Sequence, residues 1–211
     1  MKIISLNIGQ AKTLDWKGKS VTTGIFKRPT DQAVELLAET LAGDVQVDRR
    51  FHGGTYKSVY AYPFEHYAYW QNELQREDLD LGMFGENLTT AGLLEEEVCI
   101  GDQFEVGSCV LEATQPRVPC MKLGLRFNDA SMVRRFLKAA RNGIYFKVVQ
   151  QGRMQKGDAI KRIDKSAYNI TIAQIGKAYA KPQDHMDWVK EIVEIPILPP
   201  KLRPDFEKWL Q

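Results

Sequence analysis

Cys109-Val110-Leu111-Glu112-Ala113-Thr114-Gln115-Pro116-Arg117-Val118-Pro119-Cys120 is the stretch around which this 211-residue chain is organised. Cys109 to Thr114 reads as a strand, and two prolines then follow in quick succession. Each proline fixes its own φ at about −65° and pushes the residue before it out of the helical region. The loop is therefore stiff and presents its side chains in fixed places. One of them is Cys120, with the Arg117 guanidinium three residues earlier. A neighbouring positive charge favours the thiolate, which is the form that attacks and ligates. Free cysteine is also among the most buried residue types. Local sequence thus leaves two readings open: a nucleophile or soft-metal ligand, and a structural thiol at a strand end.

Working outward, short strand-like runs surround this segment. Val98 to Asp102, Phe104 to Gly107, Ile144 to Gln150 and a run after Gly157-Asp158 are separated by Gly-Asp and Gly turns. Several short strands at intervals of about 8–12 residues indicate a β-barrel or sandwich. At the N-terminus, Ile3 to Ile8 and Gly24 to Phe26 read as strands around a polar hairpin containing Asp15 to Lys19. Ser58 to Tyr62 reads as a buried strand, and Pro63 as the first residue of a helix, since its missing N–H is not needed there. That helix carries Phe64, Tyr67, Trp70 and Leu74 on one stripe. His66 lies on it, among aromatic residues, and reads as a core or interface residue sooner than as a ligand. Asn128-Asp129 reads as the cap of a helix with Met132, Val133, Phe136, Leu137 and Ala140 on one face, closed by Gly143. The spacing of Ala33, Leu36, Leu37 and Leu41 predicts a helix from Asp31 to Leu41.

The pattern changes near Lys165. Thr171 to Tyr179, Asp184 to Ile195 and the segment from Pro204 onward carry apolar residues at helical spacing. The expected organisation is a mostly β (α+β) domain over residues 1–165 and a three-helix domain over residues 166–211. Trp188, Phe206 and Trp209 are offered either to its core or to a homodimer face.

Composition excludes several classes. A formal net charge of +2, with no basic block, gives no footprint for nucleic acid. No apolar run has the length of a membrane span, and Met1 to Asn7 begins like a strand and not like a signal peptide. The three cysteines form no CxxC pair, which argues against a disulfide framework or structural zinc. The expected setting is the reducing cytoplasm.

A second motif lies upstream. Arg49-Arg50-Phe51-His52-Gly53-Gly54, with Lys57 close behind, surrounds a double-glycine turn with donors. Cationic side chains and exposed backbone N–H groups suit an anion, a phosphate above all. A surface hairpin with solvated charges is the competing reading. Downstream, Asn87 in Gly85-Glu86-Asn87 is placed to cap a helix or to contact a ligand.

Together these motifs resemble the MOSC proteins (molybdenum cofactor sulfurase C-terminal domain), and among them the bacterial YiiM-like group. The residues that carry the resemblance are Arg49 to Gly54, Tyr62-Pro63-Phe64-Glu65-His66-Tyr67, Phe84 to Leu88, Ile100-Gly101-Asp102 and Gln115 to Leu123, in the family's order. The resemblance implies a barrel-like β core, and strand and turn where the spacing at 31–41 predicts helix.

The resemblance also implies chemistry. The related mitochondrial amidoxime-reducing proteins bind a molybdopterin-type molybdenum cofactor, with the metal ligated by the cysteine that matches Cys120. A thiolate on a stiff loop suits such a soft metal–sulfur centre. Lys27, Arg50, His52, Gly53, Gly54, Lys57 and Arg117 are then the candidates for the cofactor's phosphate, and Asn87 for the pterin or substrate. The implied reaction is reduction of N-hydroxylated compounds such as 6-hydroxylaminopurine. Electrons would come from a separate reductase, expected to be a flavoprotein. No pyridoxal-phosphate domain with a Schiff-base lysine is seen. Two other functions fit the same loop: a sulfur carrier with a persulfide on Cys120, and a cofactor-binding module without turnover.

Overall fold

A computed structural model of the chain describes residues 1–47 and 53–211. It opens with β1 (Lys2–Ile8), a hairpin of β2 (Lys12–Trp16) and β3 (Lys19–Thr23), and two short strands, β4 (Arg28–Thr30) and β5 (Val34–Leu36). β6 (Val59–Pro63), helix α1 (Glu65–Leu74) and β7 (Leu88–Ala91) follow. β8 (Gln103–Val106) and β9 (Cys109–Pro116) then lead to helices α2 (Met121–Phe127) and α3 (Met132–Ala139). β10 (Ile144–Gln150), β11 (Gly152–Met154) and β12 (Ile160–Asp164) complete the strands, and α4 (Ile172–Ala180), α5 (Met186–Val193) and α6 (Arg203–Trp209) complete the chain.

Eight strands form one sheet in the order β12-β8-β9-β10-β6-β7-β1-β4. Only β6 and β7 run parallel within it, because α1 crosses between them. The two ends of the sheet approach each other. Ile3 donates to the Asp158 carbonyl at 3.0 Å, Gly157 to Ile3 at 2.9 Å and Ile160 to Met1 at 2.9 Å, which ties β1 to the start of β12. This satisfies backbone groups that an open edge would leave exposed. The fold is mixed α and β around a large sheet, in line with the α+β expectation.

β6 shows how the sheet divides the interior. All five of its residues are buried, and their alternation sends them to opposite faces. Val59 and Ala61 join a core with Ile3, Phe104, Ile144 and Phe146. Tyr60 and Tyr62 join a second core with Trp70, Phe84, Leu123 and Phe136, built between the sheet and helices α1 to α3. The C-terminal helices contribute to the first of these, through Ile172, Ile175, Val189, Ile192 and Phe206. Phe206 is fully buried, and Trp188 and Trp209 pack against the same core.

Several local expectations are corrected. Residues 31–41 form no helix. Val34 and Leu36 point inward with Glu35 outward, a period of two, and β5 pairs with β11. Ala42 donating to the Glu35 carbonyl and Leu37 to Thr40 close a tight turn there. Gly24 to Phe26 is not a strand; β2 and β3 are the hairpin. A Cβ on Gly24 would lie 2.0 Å from the Val45 carbonyl oxygen, so the missing side chain lets the 44–47 segment come close. Pro63 ends β6 and does not open α1. Val98 to Ile100 forms a turn with one bridge, Cys99 to Thr171. Asn128 stands at the end of α2 with φ 52°, and Asp129 Oδ1 accepts from the Ser131 N–H at the approach to α3.

Candidate functional site

Cys120 is the residue before α2, in extended geometry (φ −131°, ψ 175°), and its carbonyl accepts the Leu123 N–H at 2.9 Å. The prolines deliver the chain from β9 to this point, and Leu123 and Phe127 then anchor α2 in the second core. The thiol is half-buried. It differs in this from Cys109, fully buried in the first core with its thiol pushed up to about 11 by burial.

Two clefts meet at Cys120. The first, with about 590 Å³ of free space including its open mouth, is lined by Lys27, Asp44, Lys57, Asn87, Arg117, Cys120 and Lys122, with Tyr60 and Tyr145 from the sheet. The second lies between the proline loop and the C-terminal helices; Lys57, Arg117, Cys120 and Tyr145 belong to both. Thr114 Oγ1 holds the Lys57 turn against the sheet, its one proton shared between the Tyr56 carbonyl at 2.7 Å and the Tyr145 carbonyl at 3.0 Å.

Arg117 does not project into solvent. It is 6% exposed and donates to the Phe84 carbonyl, with its guanidinium carbon 5.1 Å from the Tyr60 ring centre and 5.7 Å from that of Phe136. Asn142 Nδ2 holds its carbonyl at 2.9 Å, and the Tyr60 hydroxyl donates to the Asn142 carbonyl at 2.7 Å. The cation is thus fixed at the floor of the cleft by aromatic faces and backbone oxygens. Burial pushes the Tyr60 hydroxyl well above its ordinary range, so it remains a donor.

Lys27, expected to face a phosphate, instead donates to both carboxylate oxygens of Asp44, each at 2.5 Å. Burial lowers its pKa, and Asp44 opposes that shift. Asp44 further accepts from the Gly9 N–H at 2.8 Å and from Asn87 Nδ2 at 3.0 Å. Asn87 Oδ1 accepts the Tyr60 N–H at 3.1 Å. Lys27, Asp44 and Asn87 are therefore one network in the cleft wall. Glu86, beside them, is fully buried and accepts from Tyr67 Oη, the Gly82 and Phe84 N–H groups and Thr89 Oγ1. Burial raises its pKa.

The structure brings Lys27, Lys57, Asn87, Arg117 and Cys120 to one cleft. Gly53 and Gly54 precede the short 3₁₀ turn Thr55–Lys57. Gly54 has φ 83°, and a Cβ there would meet open space. Arg50 and His52 lie outside the described residues. His66 is buried, as expected for a core residue, with Nε2 2.7 Å from Glu95 Oε2 and Nδ1 3.0 Å from Arg141 Nη1. Sequence reasoning did not single out Asp44, Tyr60 or Tyr145. Asp44 carried a weak signal in Gly43-Asp44, but the two tyrosines read only as strand residues.

The fold and this cleft define a sheet-based protein with one half-buried cysteine at the meeting of two pockets. The MOSC domain family matches residues 48–161, and the chain belongs to it. MOSC domains are associated with molybdenum cofactor binding. The chain is 42% identical over 170 residues to the uncharacterised protein YflK of Bacillus subtilis (strain 168), covering 81% of this chain and 76% of that protein. It is 32% identical over 154 residues to YiiM of Escherichia coli (strain K12), covering 72% and 68%. A protein named a reductase from Gibberella moniliformis (strain M3125 / FGSC 7600) is 32% identical over 183 residues, 85% of this chain but 32% of that protein. The crystal structure of YiiM from Geobacillus stearothermophilus superposes with a TM-score of 0.82 at 30% identity, over 100% of this chain and 99% of that one. Among the described residues, no helix is long and apolar enough to cross a membrane.

Proposed function

We propose that this protein is a molybdenum-cofactor-dependent reductase of N-hydroxylated compounds, with Cys120 as the protein's ligand to the metal. The observation that carries the reading is the position of Cys120 where a cation-lined cleft meets a second cleft under the C-terminal helices. The residues fit the group. Among the described residues no cluster of three or more His, Cys, Asp or Glu could hold a bare metal ion. One thiol beside Lys57, Arg117 and Lys122 suits instead a metal that arrives with its own sulfur ligands and an anionic tail. When bound, the cofactor would supply two-electron oxygen-atom-transfer chemistry.

The chain's own residues hold and orient. The proline loop and the N-terminal turn of α2 fix the Cys120 sulfur. Arg117 sets positive charge under the cleft without being free to leave it. Lys57 lies between the clefts, and burial first, then Lys201, lowers its pKa. An anionic group beside it would favour the ammonium form. The overall reduction takes two electrons and two protons and releases the amine and water; the electrons come from a separate donor, of which a flavoprotein is the expected class.

The test compares protein made in cells able and unable to synthesise molybdopterin. Molybdenum should co-purify only from the former, and Cys120→Ala should abolish both metal retention and reduction of a hydroxylaminopurine while leaving the melting temperature within about 2 °C, since a half-buried loop side chain is removed. Stoichiometric molybdenum in the Cys120→Ala protein would remove the ligand assignment. A persulfide on Cys120 in cofactor-free protein, with no molybdenum bound in either host, would favour a sulfur carrier.

A further inference from the structure

The cofactor reading gives no role to the far wall of the second cleft. That wall is made by the C-terminal helices: Tyr179 from α4, and Lys201, Leu202 and Asp205 from the approach to and first turn of α6. The near wall is Val118, Pro119 and Cys120. We propose that this cleft is a substrate subsite in which Asp205, oriented by Tyr179, accepts hydrogen bonds from the N–H edge of a neutral heteroaromatic base such as a purine. The inference rests on Cys120 being the reaction centre.

Three observations carry it. The Tyr179 hydroxyl donates to Asp205 Oδ2 at 3.2 Å. The Tyr179 ring is itself wedged at 5.4 Å from Trp209 and 6.2 Å from Phe206, edge to face. Asp205 is thereby held in place, and a carboxylate keeps acceptor positions beyond the one Tyr179 fills. Secondly, Val118, Pro119 and Leu202 give the cleft apolar surfaces suited to a flat ring. Thirdly, the cleft carries both signs of charge, Asp205 together with Lys57, Arg117 and Lys201. A neutral ring with donors on one edge and acceptors on another matches both. The tail then selects the substrate while the sheet and the proline loop hold the chemistry.

Binding can be read without turnover. The fluorescent base 2-aminopurine, titrated into the full-length protein with and without its metal cofactor, should be quenched saturably. Asp205→Ala should weaken its binding about tenfold or more, as expected for loss of a charge-assisted hydrogen bond. Asp205→Asn, which keeps the shape, should also weaken it, Tyr179→Phe should weaken it less, and Lys208→Ala, on the exposed face of α6, should leave it unchanged. Melting curves check that the variants fold. With cofactor-loaded protein, Asp205→Ala should raise KM for a hydroxylaminopurine and leave that for phenylhydroxylamine, which has no ring N–H, within about twofold. Absence of saturable binding to the wild type, or equal binding by Asp205→Asn and Asp205→Ala and the wild type, overturns the subsite. If the wild type binds the base but the loaded protein reduces no N-hydroxylated compound, the reductase reading falls and the subsite stands. Reduction that is indifferent to Asp205 overturns the subsite alone.

Discussion

At the scale of single residues, Lys27 and Asp44 depend on each other. Both are buried, and the Lys27 ammonium has Asp44 as its carboxylate partner at 2.5 Å. Removing one member of such a pair leaves the other charge buried and uncompensated, at a cost of about 3–5 kcal/mol. Asp44→Ala is therefore expected to lower the urea midpoint strongly, and the double variant Lys27→Met/Asp44→Leu to recover much of the loss. If the single and double variants are equally stable, the pair is not the buried unit described here. The same cluster shows why Asn87 looks functional in sequence. Its motif is fixed by hydrogen bonds to Asp44 and to the Tyr60 N–H, so a polar residue at that place is required by the cleft wall itself. Cys120 was legible because two prolines stand in the four residues before it. Its neighbours Tyr60 and Tyr145 were not, because strand alternation says which face a residue occupies and not what crosses over that face.

At the scale of elements, the turn from α3 into β10 sets the floor of the cleft. Gly143 there has φ +67°, its N–H donates to Glu95 Oε1 at 2.6 Å, and an added Cβ would lie 2.5 Å from the Ala61 carbonyl oxygen. A left-handed conformation costs a non-glycine residue about 1–2 kcal/mol, and the carbonyl contact adds to that. Gly143→Ala is expected to lose at least about 2 kcal/mol, read as a fall of roughly 4–8 °C in melting temperature. It should also loosen Arg117, whose carbonyl is held by the adjoining Asn142, so cofactor retention should fall further than stability alone explains. An unchanged melting temperature would show that the turn can relax. Helices α1 and α4 to α6 were readable from apolar spacing, and the Thr171–Gln174 capping box fixes where α4 begins. Helix α2 was hidden, because its first residues follow a proline loop that signals extended chain. The segment at 31–41 misled because its leucines suit either period, and pairing of β5 with β11 decides between them.

At the scale of the whole molecule, buried tyrosines govern the alkaline limit. Burial raises Tyr60, Tyr62, Tyr67 and Tyr145 above the ordinary value of 10.0, and pushes Tyr179 up to about 12. Above pH 10 the unfolded chain loses these protons while the folded chain keeps them, so stability falls as pH rises, by up to about 1.4 kcal/mol per unit for each tyrosine. Lys27 and Lys57, lowered by burial, act in the opposite sense, but only up to the ordinary lysine value of 10.5. The protein is therefore expected to unfold cooperatively above about pH 10.5, with tyrosinate absorbance rising together with the loss of circular dichroism. Tyrosinate absorbance that rises fully before unfolding would mean these rings are open to solvent.

The sequence by itself determined the α+β class, most of the strands, the helical tail, the MOSC family and the stiff loop that presents Cys120. These depend on local periodicity, on proline geometry and on motifs contiguous in the chain. Only the tertiary structure decided that Lys27 and Asn87 belong to the wall of the first cleft, that Arg117 is clamped beneath it, and that Tyr179 and Asp205 close the far side of the second. Those assignments depend on contacts between residues 17 to 85 positions apart, from Lys27 with Asp44 to Cys120 and Asp205 in one cleft, and on the burial that gives each charge its partner. No local pattern carries that information, because a side chain's partner is set by how the sheet folds back on itself.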